Sequence, residues 1–306
     1  MLTTAILVTV MTAATPLLFA ALGELVVEKS GVLNLGVEGM MLMGAVTAFA
    51  VAVTTGSPGL GILAGAFAGM LMALGFGLLT LGLLANQVAT GLALTIFGIG
   101  LSALIGSPFV GTPLPRLPRL EIAGLSDLPV VGPLLFGHDA LVYLGLVMVP
   151  AVAWFLVRTR AGLILRAVGE NHEAAHNLGY DVIAVRYAAV AFGGAMAGIG
   201  GAYLSIAYTP MWIEEMVAGR GWIALALVVF AAWRPWRLLV GAYLFGGVSI
   251  LQLHAQGGAL FDVPSQVLAM LPYLATIVVL TLISARSGAL GLAAPGSLGK
   301  PFHPAG

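Results

Sequence analysis

RTRAGLILRAVGENHEAAHNLGYDVIAVR, residues 158–186, is the only long polar stretch of the chain. The chain has 12 basic and 12 acidic residues, and seven of these 24 charges fall within the 29 positions quoted. The sequence on either side is almost wholly apolar. A charged stretch between apolar segments is expected to lie outside a bilayer, because charge is costly in hydrocarbon. The pattern predicts a helical membrane protein with one loop large enough to contact a partner.

The composition of the whole chain agrees with a lipid environment. Of the 306 residues, 60% are hydrophobic and 8% are charged, and the mean hydropathy is +1.08. A soluble domain has about 25% charged residues, so this chain has too few to cover a surface that faces water. The net charge of zero implies no nucleic-acid partner. The absence of cysteine excludes disulfides and thiol chemistry.

Nine segments are apolar enough to contribute to membrane-crossing helices, which need about 20 residues each. They lie at residues 2–22, 23–53, 60–84, 88–105, 140–157, 182–207, 222–233, 238–253 and 267–283. The sequence therefore predicts an all-α polytopic membrane protein, one transmembrane domain over residues 1–306 with about nine helices (eight to ten). The first segment is interpreted as a retained helix and not as a signal peptide, because no Lys or Arg precedes Lys29.

Glycines in two segments have the spacing of closely packed membrane helices. Gly61, Gly65 and Gly69 follow one another at four-residue intervals, and Gly194 and Gly198 repeat the spacing. Small residues at this spacing let helix backbones approach each other. We therefore expect close helix contacts at these positions.

The polar regions predict the orientation. Residues 107–139 form a Pro-rich loop, residues 158–182 lie in the charged stretch, and residues 284–306 form a tail that we expect to be frayed. Nine Lys and Arg residues fall on the side of the charged stretch and three on the other. Since basic residues concentrate on the cytoplasmic side, the sequence predicts an external N-terminus, an external Pro-rich loop and a cytoplasmic C-terminus. Arg186 is expected to snorkel to the interface.

Two of the nine segments are broken by glycine or too short. Residues 23–44, GELVVEKSGVLNLGVEGMMLMG, are expected to be a short loop that feeds an interrupted helix. Residues 222–233 would make only about 18 Å of helix, so this segment must borrow neighbouring residues or be a broken helix. Paired interruptions in the two halves of a chain indicate a transport site and a possible inverted repeat.

Polar residues near these interruptions are candidates for a substrate path, because polar groups at membrane depth usually face a cavity. The candidates are Asn34, Glu38, Asn86, Gln87 and Thr90. The alternative for each is helix capping or hydrogen bonding between helices. Glu38 also leaves open a proton-driven secondary carrier.

Within the charged stretch, residues 171–178 have the signals of a two-turn helix. Asn171 can cap it, Glu173 lies in its first turn, and Gly179 can end it in the left-handed conformation. Its expected apolar face comprises Ala174, Ala175 and Leu178. So short a helix is not stable alone in water, and we expect it to lie in a partner's groove as a coupling helix. The alternative is an ordinary cytoplasmic loop.

The same helix contains the motif HEAAH at residues 172–176. Two histidines four residues apart on a helix can bind zinc, with the glutamate as general base, which would indicate a membrane metalloprotease. A catalytic zinc needs a third ligand, and the sequence offers no convincing one: Asp181 is too close, and His254 and Asp262 are expected at the opposite face. The chain has no GxxxxGK[ST] motif, so ATP hydrolysis would belong to another chain.

Four blocks resemble the permease subunits of bacterial ABC importers. They are GELVVEKSGVLNLGVEGMMLMGA, ANQVATGLAL, RAVGENHEAAHNLG and AGRGWIALALVVFAAWRP, in this order between residues 23 and 236. The similarity is greatest to the simple-sugar and nucleoside group, which is related to ribose and branched-chain amino acid permeases. Glu173, Ala174 and Ala175 followed by Gly179 match the EAA-xxx-G pattern of importer coupling loops. The family shows no metal requirement at HEAAH, so the resemblance makes the motif coincidental.

The resemblance implies partners as well as a function. This chain and a longer homologous permease would form the path for a nucleoside or simple sugar, with a branched-chain amino acid or another small solute as the alternative. Two ATPase subunits would hold the ATP and Mg and bind the coupling loops, and an external substrate-binding protein would deliver the substrate. The chain would be no enzyme, would hold no cofactor or metal, and would lie in the bacterial plasma (inner) membrane. The implied coupling residues are Arg166, Glu170, Asn171, Glu173, Ala174, Ala175, Leu178 and Gly179.

Overall fold

The computed structural model describes residues 2–120, 131–257 and 294–303, with seven further positions between residues 267 and 281. Within these residues, α-helices account for nearly all regular structure, as predicted, and β-pairing is limited to isolated bridges. The α-helices are α1 Leu2–Lys29, α2 Val37–Thr55, α3 Pro58–Gly77, α4 Gln87–Gly106, α5 Val131–Phe136, α6 Ala140–Arg158, α7 Arg160–Glu170, α8 His172–Asn177, α9 Val182–Tyr203, α10 Arg220–Phe230 and α11 Pro235–Gly257. Single π-helical turns extend α3 over Leu78–Gly82 and α9 over Leu204–Tyr208.

Seven helices of the described chain are long and apolar enough to cross a membrane. They span Thr4–Lys29, Val37–Thr55, Pro58–Gly82, Gln87–Phe109, Ala140–Arg158, Val182–Tyr208 and Pro235–Leu253. The predicted segment at residues 222–233 forms α10, whose 11 residues are too few to cross alone. The last predicted segment, residues 267–283, lies almost entirely outside the described residues.

Helix α9 is central, because it packs against α1, α2 and α3. The predicted glycine spacing lies at these contacts. A Cβ atom added to Gly69 of α3 would lie 2.7 Å from the Cα of Gly198 on α9, and one added to Gly65 would lie 2.7 Å from the carbonyl oxygen of Gly44 on α2. Only glycine permits so close an approach of backbones, and the expectation of close helix contacts is confirmed.

The first interruption is shorter than the sequence suggested. Residues 23–29, predicted to be a loop, continue α1, and the chain leaves the helix only at residues 30–36. The two buried carboxylates near the end of α1 have hydrogen-bond donors. Glu24 accepts from the backbone N–H of Asn34 at 3.2 Å, and Glu28 accepts from the indole N–H of Trp233 at 2.6 Å. A buried polar group that is hydrogen-bonded can remain in a packed helix, and the loop prediction for residues 23–29 is wrong for this reason.

The described part of the Pro-rich loop is anchored at two places. The N–H of Leu114 donates to the carbonyl of Pro210 at 3.1 Å, which ties the loop to the connection between α9 and α10. The N–H of Leu120 donates to the carbonyl of His138 at 2.9 Å, which joins the middle of the loop to its C-terminal end. Residues 121–130 lie outside the described residues.

Candidate coupling site

Helix α8 forms where the local signals predicted it. The side chain of Asn171 accepts a hydrogen bond from the N–H of Ala174 at 2.9 Å. At the other end the N–H of Gly179 donates to the carbonyl of His176 at 2.8 Å, and the N–H of Tyr180 donates to that of Ala175 at 3.2 Å. This pair of bonds is the Schellman arrangement, and it requires the left-handed backbone of Gly179, whose φ is +87°.

The predicted coupling residues have different exposures. Most face outward, and Leu178 is 75% exposed. The exposed residues are Glu170, Asn171, Glu173, Ala174, Leu178 and Gly179. Ala175 is buried against Val168, Val182 and Phe302, so the expected apolar face of three residues is divided between the interior and the surface. Leu178 and the exposed polar groups beside it are therefore accessible to a partner.

Helix α7 supports α8 from the preceding side. The hydroxyl of Thr159 caps it by accepting from the N–H of Gly162 at 3.0 Å, and Leu165 and Val168 are buried. Arg166 and Glu170 lie on the opposite face of α7 and line a cavity of about 310 Å³. The buried Nε of Arg166 has no hydrogen-bond partner among the described residues.

Arg186 does not snorkel, which corrects the expectation from the sequence. It is 1% exposed, and its guanidinium donates to three groups from separate parts of the chain. The Nε lies 3.2 Å from the carbonyl of Ser30, Nη1 lies 3.2 Å from that of Lys300, and Nη2 lies 3.0 Å from Nδ1 of His172. A buried guanidinium needs such acceptors, and the fold supplies them in place of water.

The C-terminal strap, residues 294–303, is docked and not frayed. The N–H of Ser297 donates to the carbonyl of Gly169 at 2.8 Å, and its hydroxyl accepts from the N–H of His172 at 3.2 Å. Phe302 is buried, with its ring centroid 5.2 Å from that of His172 and 5.3 Å from that of His176. The prediction of a frayed tail is wrong for these residues; residues 284–293 and 304–306 lie outside the described residues.

The hydrogen bonding of His172 does not suit a zinc ligand. Nδ1 accepts a hydrogen bond from Arg186, so the neutral imidazole carries its proton on Nε2 and neither nitrogen has a free lone pair for zinc. Within the described ranges, no group of three or more His, Cys, Asp or Glu residues could hold a metal ion. The fit of a catalytic zinc at HEAAH is therefore poor.

Acidification should loosen the strap. Burial lowers the pKa of His172 below its ordinary value of about 6.5, and Arg186 and Lys300 lower it further, while Glu173 opposes the shift. A strap that has detached therefore binds protons more readily than the docked one, and docking weakens as the pH falls through and below about 6.5. The protection factors of residues 294–303, which are hydrogen-exchange rates corrected for the intrinsic pH dependence of exchange, should fall between about pH 7.5 and pH 5.5. His172→Asn keeps an acceptor without titrating and should show no such fall; protection factors that do not change with pH in the wild type would contradict the prediction.

A second polar site joins the two interrupted segments. One carboxylate oxygen of Glu38, in the first turn of α2, accepts from the N–H of Gly219 at 2.7 Å, and the other accepts from the N–H of Gly221 at 2.6 Å. These N–H groups lie at the N-terminus of α10, where Gly219 has a φ of +80°. Free N–H groups and the helix dipole both favour a carboxylate there.

Helix α10 is also held beyond its other end. Trp233 follows it, donates to Glu28 of α1, and lies 5.9 Å from the Nζ of Lys29. Acidic residues of α1 and α2 therefore bind both ends of α10. Glu24, Glu28 and Trp233 were not among the site residues predicted from the sequence; acidic residues in an apolar segment were the available signal.

The other path candidates lie around the first interruption. The amide oxygen of Gln87 accepts from the N–H of Leu33 at 2.8 Å, and that of Asn34 accepts from the N–H of Gly36 at 2.9 Å. Thr90 is buried on the same face of α4 as Gln87. Asn86 is exposed and caps α4 by accepting from the N–H of Ala89 at 3.0 Å. The contacts of Asn34 and Gln87 join residues 30–36 to one another and to α4, which is the structural alternative raised for them.

A bundle of apolar helices of membrane-spanning length, with a capped and exposed short helix between two of them, suits a membrane permease. The chain belongs to the family described as branched-chain amino acid transport system permease components, whose profile matches residues 6–283.

Three relatives are similar over nearly the whole chain. TsgC13 of Haloferax volcanii, provisionally named a glucose ABC transporter permease protein, is 44% identical over 95% of both chains. The nucleoside ABC transporter permease protein NupC of Lactococcus lactis is 32% identical over 90% of both. The guanosine ABC transporter permease protein NupQ of Bacillus subtilis is 32% identical over 94% of this chain and 93% of its own.

The chain is thus a multi-pass permease subunit of an ABC importer. Its homologues are transporter subunits and not enzymes, and family membership implies association with an ATPase and a substrate-binding protein. The metalloprotease and the proton-driven carrier receive no support from these relatives.

Proposed function

We propose that the chain forms part of the translocation path for a simple sugar or a nucleoside. The observation that supports this substrate class is the similarity over at least 90% of the chain to permeases named for glucose, nucleosides and guanosine. A branched-chain amino acid is the second candidate, because the family description names that substrate. Uptake by the reconstituted transporter with its cognate binding protein, in competition with glucose, ribose, guanosine and leucine, tests the proposal. Competition by leucine alone would overturn it.

We further propose that the ATPase binds α8 and its flanks in the cytoplasm. The interacting residues would be Arg166, Glu170, Asn171, Glu173, Ala174, Ala175, Leu178 and Gly179. Closure of the ATPase dimer on ATP moves α8, and the helix bundle switches between outward and inward openings. The exposure of Leu178 and Glu173 on a capped helix supports this role. The ATP and Mg lie in the ATPase, and this chain holds no cofactor.

The topology follows from the same proposal. The N-terminus and the loop at residues 107–139 lie outside, and residues 158–182 and 284–306 lie in the cytoplasm of the bacterial plasma membrane. Nine segments then cross or enter the membrane, with α10 and residues 267–283 completing the seven long spans, and the two broken segments are related as an inverted repeat. A homologous, longer permease pairs with this chain. Asn34, Glu38, Asn86, Gln87 and Thr90 lie where the path changes shape.

A pair of glycine variants tests the coupling role. Gly179 follows α8 with a φ of +87°, and Gly56 follows α2 with a φ of +70°; a Cβ on either has nothing within 4 Å. Valine in the left-handed conformation is therefore disfavoured by about 1–2 kcal/mol at either site, which lowers the population of that backbone conformation about ten-fold. Gly179→Val should lower ATPase co-purification and uptake by at least that factor, with membrane insertion intact. Gly56→Val should retain both. Equal ATPase binding in the two variants would refute the assignment.

A further inference from the structure

We propose that Arg186 and the C-terminal strap join α8 to the break between α1 and α2, which comprises residues 30–36. In this proposal α8, the strap and the break move as one unit. Arg186 is the positioning residue of this unit, because it contacts all three parts. The inference rests on the proposed role of α8 in binding the ATPase. It adds the route by which movement of α8 reaches the membrane helices.

The first observation is the reach of the Arg186 side chain. It starts on α9 and donates to His172 of α8, to the carbonyl of Ser30 in the break, and to the carbonyl of Lys300 in the strap. These are the three parts that must move together. The planar guanidinium fixes the directions of its donors, so a shift of α8 alone would break bonds inside a buried site. Such a shift is costly because buried polar groups would lose their partners.

The second observation is that the strap binds α7, α8 and the break through hydrogen bonds. The hydroxyl of Ser297 accepts from the N–H of His172 in α8, and the N–H of Ser297 donates to the carbonyl of Gly169 in α7. Two residues later, the N–H of Gly299 donates to the carbonyl of Gly31 at 3.0 Å. A Cβ on Gly31 would lie 2.9 Å from Nη2 of Arg186 and 3.3 Å from the Cβ of Ser297, so the break is packed directly against both.

The third observation is the apolar contact that closes the unit. Phe302 is 6% exposed and packs with Val168 of α7, Ala175 of α8 and Val182 of α9. A two-turn helix has too few internal bonds to be stable alone. The strap therefore supplies both the hydrogen bonds and the apolar partner that keep α8 in place.

The break in turn is connected to the membrane interior. The N–H of Leu33 donates to Gln87 of α4, and the hydroxyl of Thr95 donates to the carbonyl of Leu35 at 3.2 Å. The N–H of Asn34 donates to Glu24 of α1. A displacement of residues 30–36 with α8 therefore reaches α1 and α4 through direct hydrogen bonds.

Arg186→Lys is the first test, in the complete transporter with its ATPase and binding protein. Lysine keeps the charge but cannot reach three acceptors with a planar fork. We expect uptake to fall by about ten-fold, a typical size for coupling between two sites, while ATPase co-purification and ATP hydrolysis are retained. Arg158→Lys, at an exposed arginine of the same region, should transport normally. Normal uptake by Arg186→Lys would overturn the proposal.

The second test measures the unit directly and applies even if Arg186→Lys fails to assemble. The chain has no cysteine, so spin labels can be placed on Asn177→Cys and Lys300→Cys, two exposed positions on α8 and the strap. Their distance should stay narrow and constant between the nucleotide-free and the vanadate-trapped transporter. A broadened distance, or a change of more than about 5 Å, the size of a one-turn shift, would overturn the proposal.

The two proposals fail in distinguishable ways. Loss of ATPase binding in Gly179→Val tests α8 as the docking helix, irrespective of the strap. A variable distance between the labels would refute the strap as part of the unit while leaving ATPase docking on α8 intact. Conversely, a constant distance in a transporter whose ATPase ignores Gly179→Val would support the rigid unit and remove its assigned partner.

Discussion

Gly69→Ala should destabilise the protein by about 3 kcal/mol, the upper part of the usual range for overpacking. A Cβ at this position would lie 2.7 Å from the Cα of Gly198, and a backbone atom cannot move aside as a flexible side chain can. Helices α3 and α9 would have to separate along a contact that also includes Gly65 and Gly194. Thermal unfolding of the purified transporter in detergent, together with the monodisperse fraction on gel filtration, measures the effect.

Gly75→Ala is the matched control, because Gly75 lies in the same helix and a Cβ there has nothing within 4 Å. Alanine favours a helix over glycine by about 1 kcal/mol, so this variant should unfold at the same or a higher temperature than the wild type. If the two variants unfolded alike, glycine content and not backbone contact would explain the α3–α9 packing.

Glu38→Ala should destabilise the protein by an amount similar to Gly69→Ala. The carboxylate accepts from Gly219 and Gly221, and hydrogen bonds to a charged group are worth about 1.5–3 kcal/mol each. Alanine would leave these N–H groups at the α10 N-terminus without their acceptor. We expect a loss of about 3 kcal/mol in stability, together with loss of uptake, measured by thermal unfolding and by transport in proteoliposomes.

Glu38→Gln separates the hydrogen-bonding role from the charge. The amide retains one acceptor oxygen, so this variant should be less damaged than Glu38→Ala. Glu214→Ala removes an exposed carboxylate close to the same end of α10 and should behave as the wild type. Wild-type stability in Glu38→Ala would mean that the α10 N-terminus does not depend on this contact.

The features that were predictable depend on neighbouring residues. The ends of α8 are set by Asn171 and Gly179, each of which bonds within three residues of itself. The long helices follow from apolar runs of about 20 residues. The prediction of a loop from residue 23 onward failed for residues 23–29, because the buried Glu24 and Glu28 of this part of α1 find donors in Asn34 and Trp233.

The features that were missed join residues far apart in the sequence. Arg186 reaches Ser30 across 156 positions and Lys300 across 114. The strap was expected to fray because its Gly and Pro residues favour no regular structure, yet Ser297 and Phe302 bind a site made of α7, α8 and α9. Such partners cannot be read from local composition.

The sequence by itself determined the membrane class, the positions of the long helices, the glycine contacts and the capped helix α8, because hydropathy, small-residue spacing and capping act within a few helical turns. Only the tertiary structure decided that Glu38 binds the N-terminus of α10, that Arg186 is buried, and that the strap is docked. The physical reason is that a buried charge is stabilised only by the specific donors or acceptors that surround it. Those groups are brought together by the packing of helices that are distant along the chain.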